Sequence, residues 1–382
     1  MRAMTAPPRL HTGKRLLRRR LEQFVVLALP VLLVVWLAAN TVAKLELRGV
    51  AMGFDFLSKP ARLGISESFL PFVAGADNYA RVVAVGLCNT LFVSALAIVI
   101  ASAIGLAVGL SRLSSNWLQS RCAGAFVELV RNVPLPLQLL LWYQILLNLP
   151  APRAAAAFGG VFLTNRGLFF PMLTGPAMPW LGGALLLCGA VLLSRRTGRR
   201  DAEWPLGRAA PLLLGAAAIG GILLAVGWLR GESPALHGFS IRGGATISPE
   251  LAALVLGLSI YAGAFIAEIV RASVLAVPKG QWEAGCALGL PKRRILQKVV
   301  LPQAVRIGLP ALGNEYLSTI KNSSLAVIVG YPELASLINT MASDTGQSIE
   351  AIAILMAAYL TISVSVGWVL HRCERRLELP TT

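Results

Sequence analysis

Charge is scarce in this 382-residue chain: Asp, Glu, Lys and Arg make up 14% of it, against about 25% in soluble domains. Acidic groups are the scarcer half, 18 against 35 Lys and Arg. With 56% hydrophobic residues and a mean hydropathy of +0.68, the chain is neither an ordinary soluble domain nor a disordered one. Cysteine is sparse too. Cys88, Cys122, Cys188, Cys286 and Cys373 are odd in number, widely spaced and without C-x-x-C spacing, so no disulfide scaffold or zinc framework is implied. His11, His237 and His371 stand far apart without carboxylates at metal-ligand spacing, and no metal site is expected. Neither these histidines nor Asp55, Asp77, Asp201 and Asp344 form a nucleophile-and-base constellation, which argues against an intramembrane enzyme. No G-x-x-x-x-G-K-[ST] occurs, so the chain has no P-loop of its own.

What the sequence has instead is long apolar runs. A helical span of a bilayer needs roughly 20 mostly apolar residues. Runs cover about 23–43, 84–110, 122–149, 180–193, 209–229, 249–270, 307–330 and 349–371. The expectation is an all-α, polytopic membrane protein with about eight transmembrane helices. The first run is longer than a secretory core and ends without an A-x-A site, so it reads as a retained helix.

The excess of basic residues is a matter of topology. Lys and Arg near span ends mark the cytoplasmic side. With the N-terminus inside, the cytoplasmic segments hold 24 of them and the outer segments nine, while Arg131 and Lys321 lie within runs. This predicts a multi-pass inner-membrane protein with both termini cytoplasmic and membrane lipid, not nucleic acid, around it.

The chain divides by pattern into a basic N-terminus (1–22), an extra transmembrane helix with an outer loop (23–83), a first core part (84–149), an inserted helical hairpin with loops (150–248), a second core part (249–371) and a cytoplasmic tail (372–382). Removing the first span and the inserted pair leaves five spans with unchanged orientation. Within the second run, Gly105 and Gly109 form a G-x-x-x-G that fits a close helix crossing.

The loop 271–306 is polar and basic yet patterned. Residues 281–288 suit a helix, Gly289-Leu290-Pro291 a break, and 292–300 a second helix. Two short helices meeting at a glycine make a compact knob that presents Glu283, Ala284 and Leu288 on one side. Glu283-Ala284-Gly285, Gly289 and Val299-x-Leu301-Pro302 reproduce the spacing E-A-A, three residues, G, nine residues, I-x-L-P.

That pattern resembles the cytoplasmic EAA loop of ABC importer permeases, with Gly285 for the third Ala and Val299 for Ile. Tyr261, Glu268, Arg271 and Pro278-Lys-Gly-Gln281, together with Glu128, Arg131, Pro134 and Gln138, are similar to the polar amino-acid group. So are Asn314-Glu315 and Lys321-Asn322-Ser323-Ser324-Leu325. The extra span and inserted hairpin are most like the longer permease subunit of general L-amino-acid transporters. The resemblance covers about 84–149 and 249–371, roughly half of the chain. It implies a non-enzymatic subunit that binds no cofactor, with ATP and Mg held by a separate ATP-binding subunit. It also implies a second permease subunit, identical or different, and a periplasmic amino-acid-binding protein.

Site residues follow from the same resemblance. Glu283, Ala284, Gly285, Gly289, Leu301 and Pro302 are the candidates for coupling to the ATPase. Glu128 with Arg131, and Glu268 with Arg271, lie three apart on helices, so each pair has the spacing to neutralise itself near the inner membrane edge. They are candidates for a gate or a subunit contact, or are structural ion pairs. Asn322, Ser323 and Ser324 are costly in hydrocarbon and are candidates for a substrate path, unless they mark the wet end of a helix. The competing function is an ion-coupled secondary transporter, which would show repeat-related halves with discontinuous helices. No clear half-to-half repeat is present.

Overall fold

In the computed structural model, residues 12–47, 53–155, 157–174, 230–238 and 240–377 are described. Among them the chain is mostly helical. α1 (Thr12–Leu47) carries the first apolar run, and Phe24, Val26, Leu29, Leu32 and Trp36 along it are each more than half exposed. α2 (Tyr79–Arg112) begins at Asn78, whose side chain accepts from the Arg81 backbone N–H at 3.0 Å, so one otherwise unpaired donor of the first turn is satisfied. The third run is two helices, α3 (Trp117–Asn132) and α4 (Leu135–Leu147), with Val133 and Pro134 extended between them.

α5 (Pro249–Leu275) is capped by Ser248, which accepts from Leu251 N at 3.1 Å, and has Pro249 in its first turn. The loop that follows holds α6 (Lys279–Ala287) and α7 (Lys292–Ile295). A π-helical turn, Leu296–Val300, leads directly into α8 (Leu301–Asn322). Proline lacks an N–H and its ring crowds the carbonyl four residues back, and the widened turn ahead of Pro302 accommodates both. A 3-10 turn, Ser323–Ile328, precedes α9 (Leu334–Thr345), and α10 (Ser348–Leu377) ends the described chain.

By length and composition Tyr79–Arg112, Pro249–Leu275 and Ser348–Arg372 are long and apolar enough to cross a membrane, and Gln23–Leu37 and Leu135–Leu147 are shorter apolar helices. α9 lies where the sequence reading has an outer connection. Its signals are nonetheless present: apolar residues at 334, 335, 337, 338 and 341, Glu333 as N-cap and Gly346 in the left-handed region after its end.

The centre of the molecule is the side-by-side pair α2 and α5. They run parallel, with Gly105 against Ile266 and Gly109 against Ala267 and Val270. A Cβ on Gly105 would stand 2.4 Å from Ile266 Cγ2, and one on Gly109 2.7 Å from the Ala267 carbonyl oxygen. The G-x-x-x-G thus marks a true close crossing. α4 and the 3-10 turn complete one core, in which Val93, Ala97, Leu135, Leu139, Leu254, Leu258 and Ala326 are buried together.

The region 150–248 corrects the all-helical expectation. Among the described residues it forms eight short strands. β1 (Ala157–Phe158), β2 (Val161–Thr164), β3 (Gly167–Phe170) and β8 (Ala245–Ile247) pair antiparallel in that order, with Phe169 opposite Thr246. β4 (Met172–Thr174) pairs with β5 (Arg230–Glu232), and β6 (Ala235–His237) with β7 (Ser240–Arg242). Strands of two to four residues are too short to show alternation against an Ala, Gly and Pro background, which is why the sequence reads there as a spacer. The two apolar runs at 180–193 and 209–229 lie outside the described residues. Thr174 and Arg230, which flank that segment, are partners in the β4–β5 ladder, so the chain leaves and returns at one place.

The segment 53–78 crosses the strand end of the molecule. Asn89 of α2 accepts from Phe69 N at 3.0 Å and donates to the Glu67 and Pro332 carbonyls at 3.0 and 2.8 Å. The Ser248 hydroxyl donates to Glu67 at 2.5 Å. Burial pushes the Glu67 carboxyl above the usual range, the Ser248 hydrogen bond opposes this, and the nearby Glu250 adds to it.

Candidate functional site

The knob of the basic loop is built as its sequence suggests and closed by a specific cap. Gly289 has φ +69°, a conformation open to glycine at little cost. Its N–H donates to the Cys286 carbonyl at 2.9 Å, and Leu290 N–H to the Gly285 carbonyl at 3.1 Å. This is the paired 5→2 and 6→1 arrangement of a Schellman cap, so α6 stops there and the chain turns into α7. No atom lies within 4 Å of where a Gly289 Cβ would be, so the glycine serves backbone shape and not close packing within this chain.

Under the knob lies a small core of its own. Val274, Val277, Ile295, Val300 and Ala304 are buried, with Trp282, Leu290 and Val299 packed at its edge. Gly285 gives Ile295 its place, since a Cβ there would come within 2.9 Å of Ile295 Cγ1. Gln303 donates to Gln281 at 3.3 Å and to the Val299 carbonyl at 2.9 Å, which ties α6 to the start of α8. On the outer side Glu283, Ala284 and Gly289 are exposed, and Leu288 is 78% exposed. Leu301 and Pro302 are also exposed at the first turn of α8. The knob therefore offers a carboxylate and a leucine outward while its inner side is packed on the ends of α5 and α8.

Beside it, the Glu268 and Arg271 pair forms, with Arg271 Nη2 donating to Glu268 at 2.5 Å. Glu268 has a second partner that the sequence reading missed, Arg112 at the end of α2. In the sequence Arg112 is one of the 24 basic residues of the cytoplasmic segments, and nothing in its spacing points to α5. The carboxylate joins the inner ends of the two central helices. Glu128 and Arg131, by contrast, form no ion pair with each other among the described residues, which corrects the expectation from their spacing. Glu128 lines a cavity of about 560 Å³ together with Arg112, Arg121 and Arg271. Arg131 lies over the ring of Phe265 on α5, 4.7 Å from its centroid.

The break between α3 and α4 leaves carbonyls without helical partners, a costly condition inside a bilayer. Gln138, nearly fully buried, answers it: its side-chain amide donates to the Val130 carbonyl at 2.8 Å and the Val133 carbonyl at 2.9 Å. On α8, Glu315 is half-buried, and the hydroxyl of its neighbour Tyr316 meets that of Ser102 on α2 at 3.0 Å. In the candidate substrate path, Ser323 and Ser324 turn their hydroxyls back to the carbonyls of Ile320 and Lys321 at 2.7 and 2.8 Å, where α8 passes into the 3-10 turn. Asn322 is half-buried and Lys321 exposed.

Residues 206–379 match the family described as binding-protein-dependent transport system inner membrane component. The putative amino-acid ABC transporter permease protein YhdX of Escherichia coli is 42% identical over 95% of this chain and 94% of its own length. The general L-amino acid transport system permease protein AapQ of Rhizobium johnstonii is 36% identical, covering 90% of this chain and 88% of its own. The glutamate/glutamine/aspartate/asparagine transport system permease protein BztB of Rhodobacter capsulatus is 32% identical over 94% and 93% of the two chains.

Proposed function

Because the chain belongs to the family of amino-acid ABC transporter permeases of the inner membrane, we propose that the α6–α7 knob is where it docks on a separate ATPase subunit. That subunit binds ATP and Mg, and this chain carries no cofactor. The observation that carries the reading is the knob's two-sidedness: Glu283, Ala284 and Leu288 stand exposed, and Ile295 beneath them is fully buried on a core shared with α5 and α8. A push on the outer face is passed to those helices because a close-packed core moves as a unit. Glu283 is the charged contact, Leu288 the apolar one, Gly289 fixes the turn, and Leu301 and Pro302 start the helix that receives the movement.

Around this subunit the transport reading places a second permease, identical or different, and a periplasmic amino-acid-binding protein. Both termini lie in the cytoplasm, and the spans number about eight when α8 and the apolar runs at 180–193 and 209–229 are counted with the five apolar helices. Alternating access follows from closure of the ATPase dimer. The Glu268–Arg112 pair, with Arg271 bonded to the same carboxylate, holds the inner ends of α2 and α5 together as a gate element. The relatives are named as ABC permeases, which leaves an ion-coupled transporter without support.

Glu283→Ala and Leu288→Asp test the docking. Each variant should reach the membrane in normal amount, because neither residue packs in a span. Copurification of the ATPase and amino-acid uptake should fall together by tenfold or more, as when one partner of an interfacial pair is removed at a cost of about 2–5 kcal/mol. The preference among amino acids in the remaining uptake should stay constant. Full copurification with both variants would show that the ATPase docks elsewhere.

A further inference from the structure

The cavity that Glu128 lines is formed by the inner ends of three helices. Arg112 is the last residue of α2, Arg271 stands four residues before the end of α5, and Arg121 four residues into α3. At 1.5 Å per residue, each is within roughly 6 Å of a helix end. Trp117, which opens α3, is exposed, and exposed tryptophan belongs at the boundary between hydrocarbon and water. The cavity thus lies at the level of lipid headgroups.

Charge around it is unbalanced. Glu268 holds both Arg112 and Arg271, and Arg121 has no ion pair among the described residues. Three guanidinium groups therefore stand against two carboxylates, Glu268 and Glu128, a surplus of one positive charge. Arg112 reaches Glu268 through Nη1, so its other N–H groups remain for a ligand. A guanidinium fork fits the oxygens of a phosphate, and basic pockets between membrane helices take phospholipid headgroups. The volume of about 560 Å³ is within the range of about 300–1,000 Å³ of small-ligand sites.

The lining continues into an apolar strip. Leu118, Cys122, Ala125 and Leu129 recur at helical spacing along α3, and all four are exposed. Cys122 and Ala125 line the cavity itself. The start of α3 is held beside the end of α2 by the Ser120 hydroxyl, which donates to the Arg112 carbonyl at 3.0 Å. Leu129 is 12 residues beyond Trp117, or roughly 18 Å along the helix. Arginines at the inner end, with small and apolar residues leading away from them, repeat the order of headgroup and acyl chain.

We propose that this cavity binds the phosphate of an anionic phospholipid of the inner leaflet. Arg121 is its principal ligand, Arg112 and Arg271 add their remaining N–H groups, and an acyl chain lies along Ala125 and Leu129. The surplus of one positive charge matches a phosphodiester, which carries one negative charge, and Glu128 disfavours anions of higher charge. None of this depends on where the ATPase docks or on what the chain transports.

The test uses the full chain, extracted with its partner subunits and placed in nanodiscs. Cys122 is the reporter, and Cys286, exposed on α6, is the reference. Both are modified with uncharged N-ethylmaleimide and followed by peptide mass spectrometry. With phosphatidylglycerol and phosphatidylcholine in equal parts, Cys122 should react about fivefold more slowly, relative to Cys286, than in phosphatidylcholine alone. Arg121→Gln should remove most of that difference, and Arg121→Lys should keep part of it. Arg306→Gln, at an exposed arginine outside the cavity lining, should leave it whole. Equal wild-type rates in the two lipids would overturn the proposal, and that arm needs no variant to fold. An equal loss in Arg306→Gln would reduce the effect to general surface charge and defeat the site. Equal protection by inorganic phosphate in phosphatidylcholine would make the ligand a soluble anion and end the lipid assignment. A Cys122 that reacts in neither lipid would mean that a partner subunit fills the cavity, which rules the lipid out.

Discussion

The seam between α2 and α5 and the apex of the α6–α7 knob both depend on glycine, for opposite reasons. At the seam, Gly105 and Gly109 have ordinary helical backbone and no room: neighbouring atoms stand 2.4 and 2.7 Å from where their Cβ atoms would be. At the apex, Gly289 has open space and an unusual backbone, φ +69°. The seam is a structural contact inside the bilayer, where association rests on close packing. The knob is a shaped surface, where the backbone must turn and the far side is left exposed. A glycine alone says neither; its surroundings do.

That contrast breaks first at Gly105. Gly105→Val should overpack the seam by more than the usual 1–3 kcal/mol, since the added atoms meet Ile266 and the Gly263 carbonyl at 3.0 Å or less. Little folded protein should survive detergent extraction. Ile266→Ala in the same chain should recover part of the thermal stability. Wild-type melting in the single variant would mean that α2 and α5 are not held by this crossing.

Gly289→Val should behave differently. A β-branched residue in the left-handed region costs about 1–2 kcal/mol, spent locally because nothing surrounds the position. The global melting temperature should change little, whereas the amides of residues 285–295 should exchange faster and ATPase copurification should drop. A large fall in global stability would merge the two cases.

The smallest effect lies at the opposite end of the molecule, in the segment pinned by Glu67. Burial, aided by Glu250, raises its carboxyl above the ordinary value of 4.5. The folded chain therefore keeps a proton that the unfolded chain has released. The stabilisation is complete below the unfolded value and is lost as pH rises through the folded one. Wild type should lose thermal stability as pH rises above 4.5, and Glu67→Gln should flatten that slope. An unchanged slope would assign it to other groups.

Much of this was legible in the residues. The EAA-type spacing located the knob, its glycine and its exposed face, because helix stop signals are local in sequence. Glu268 with Arg271 was legible as an i, i+3 pair. Glu128 with Arg131 had the same spacing and misled, because Arg131 lies instead over the ring of Phe265 while Glu128 lines a cavity with other arginines. The split of the third run was signalled by Pro134, yet length and hydropathy alone made it one span. The strands of 157–247 were hidden by their shortness.

The sequence by itself determined that this chain lives in a membrane, which end of each span is basic, and where the loop 271–306 turns, since hydropathy, charge count and backbone conformation are properties of neighbouring residues. Only the tertiary structure decided that Arg112 shares Glu268, that Gln138 supplies the hydrogen bonds of a broken helix, and that Arg131 lies over Phe265. Those contacts join residues up to 156 positions apart, and the longest of them closes because the glycine seam lets α2 and α5 come together.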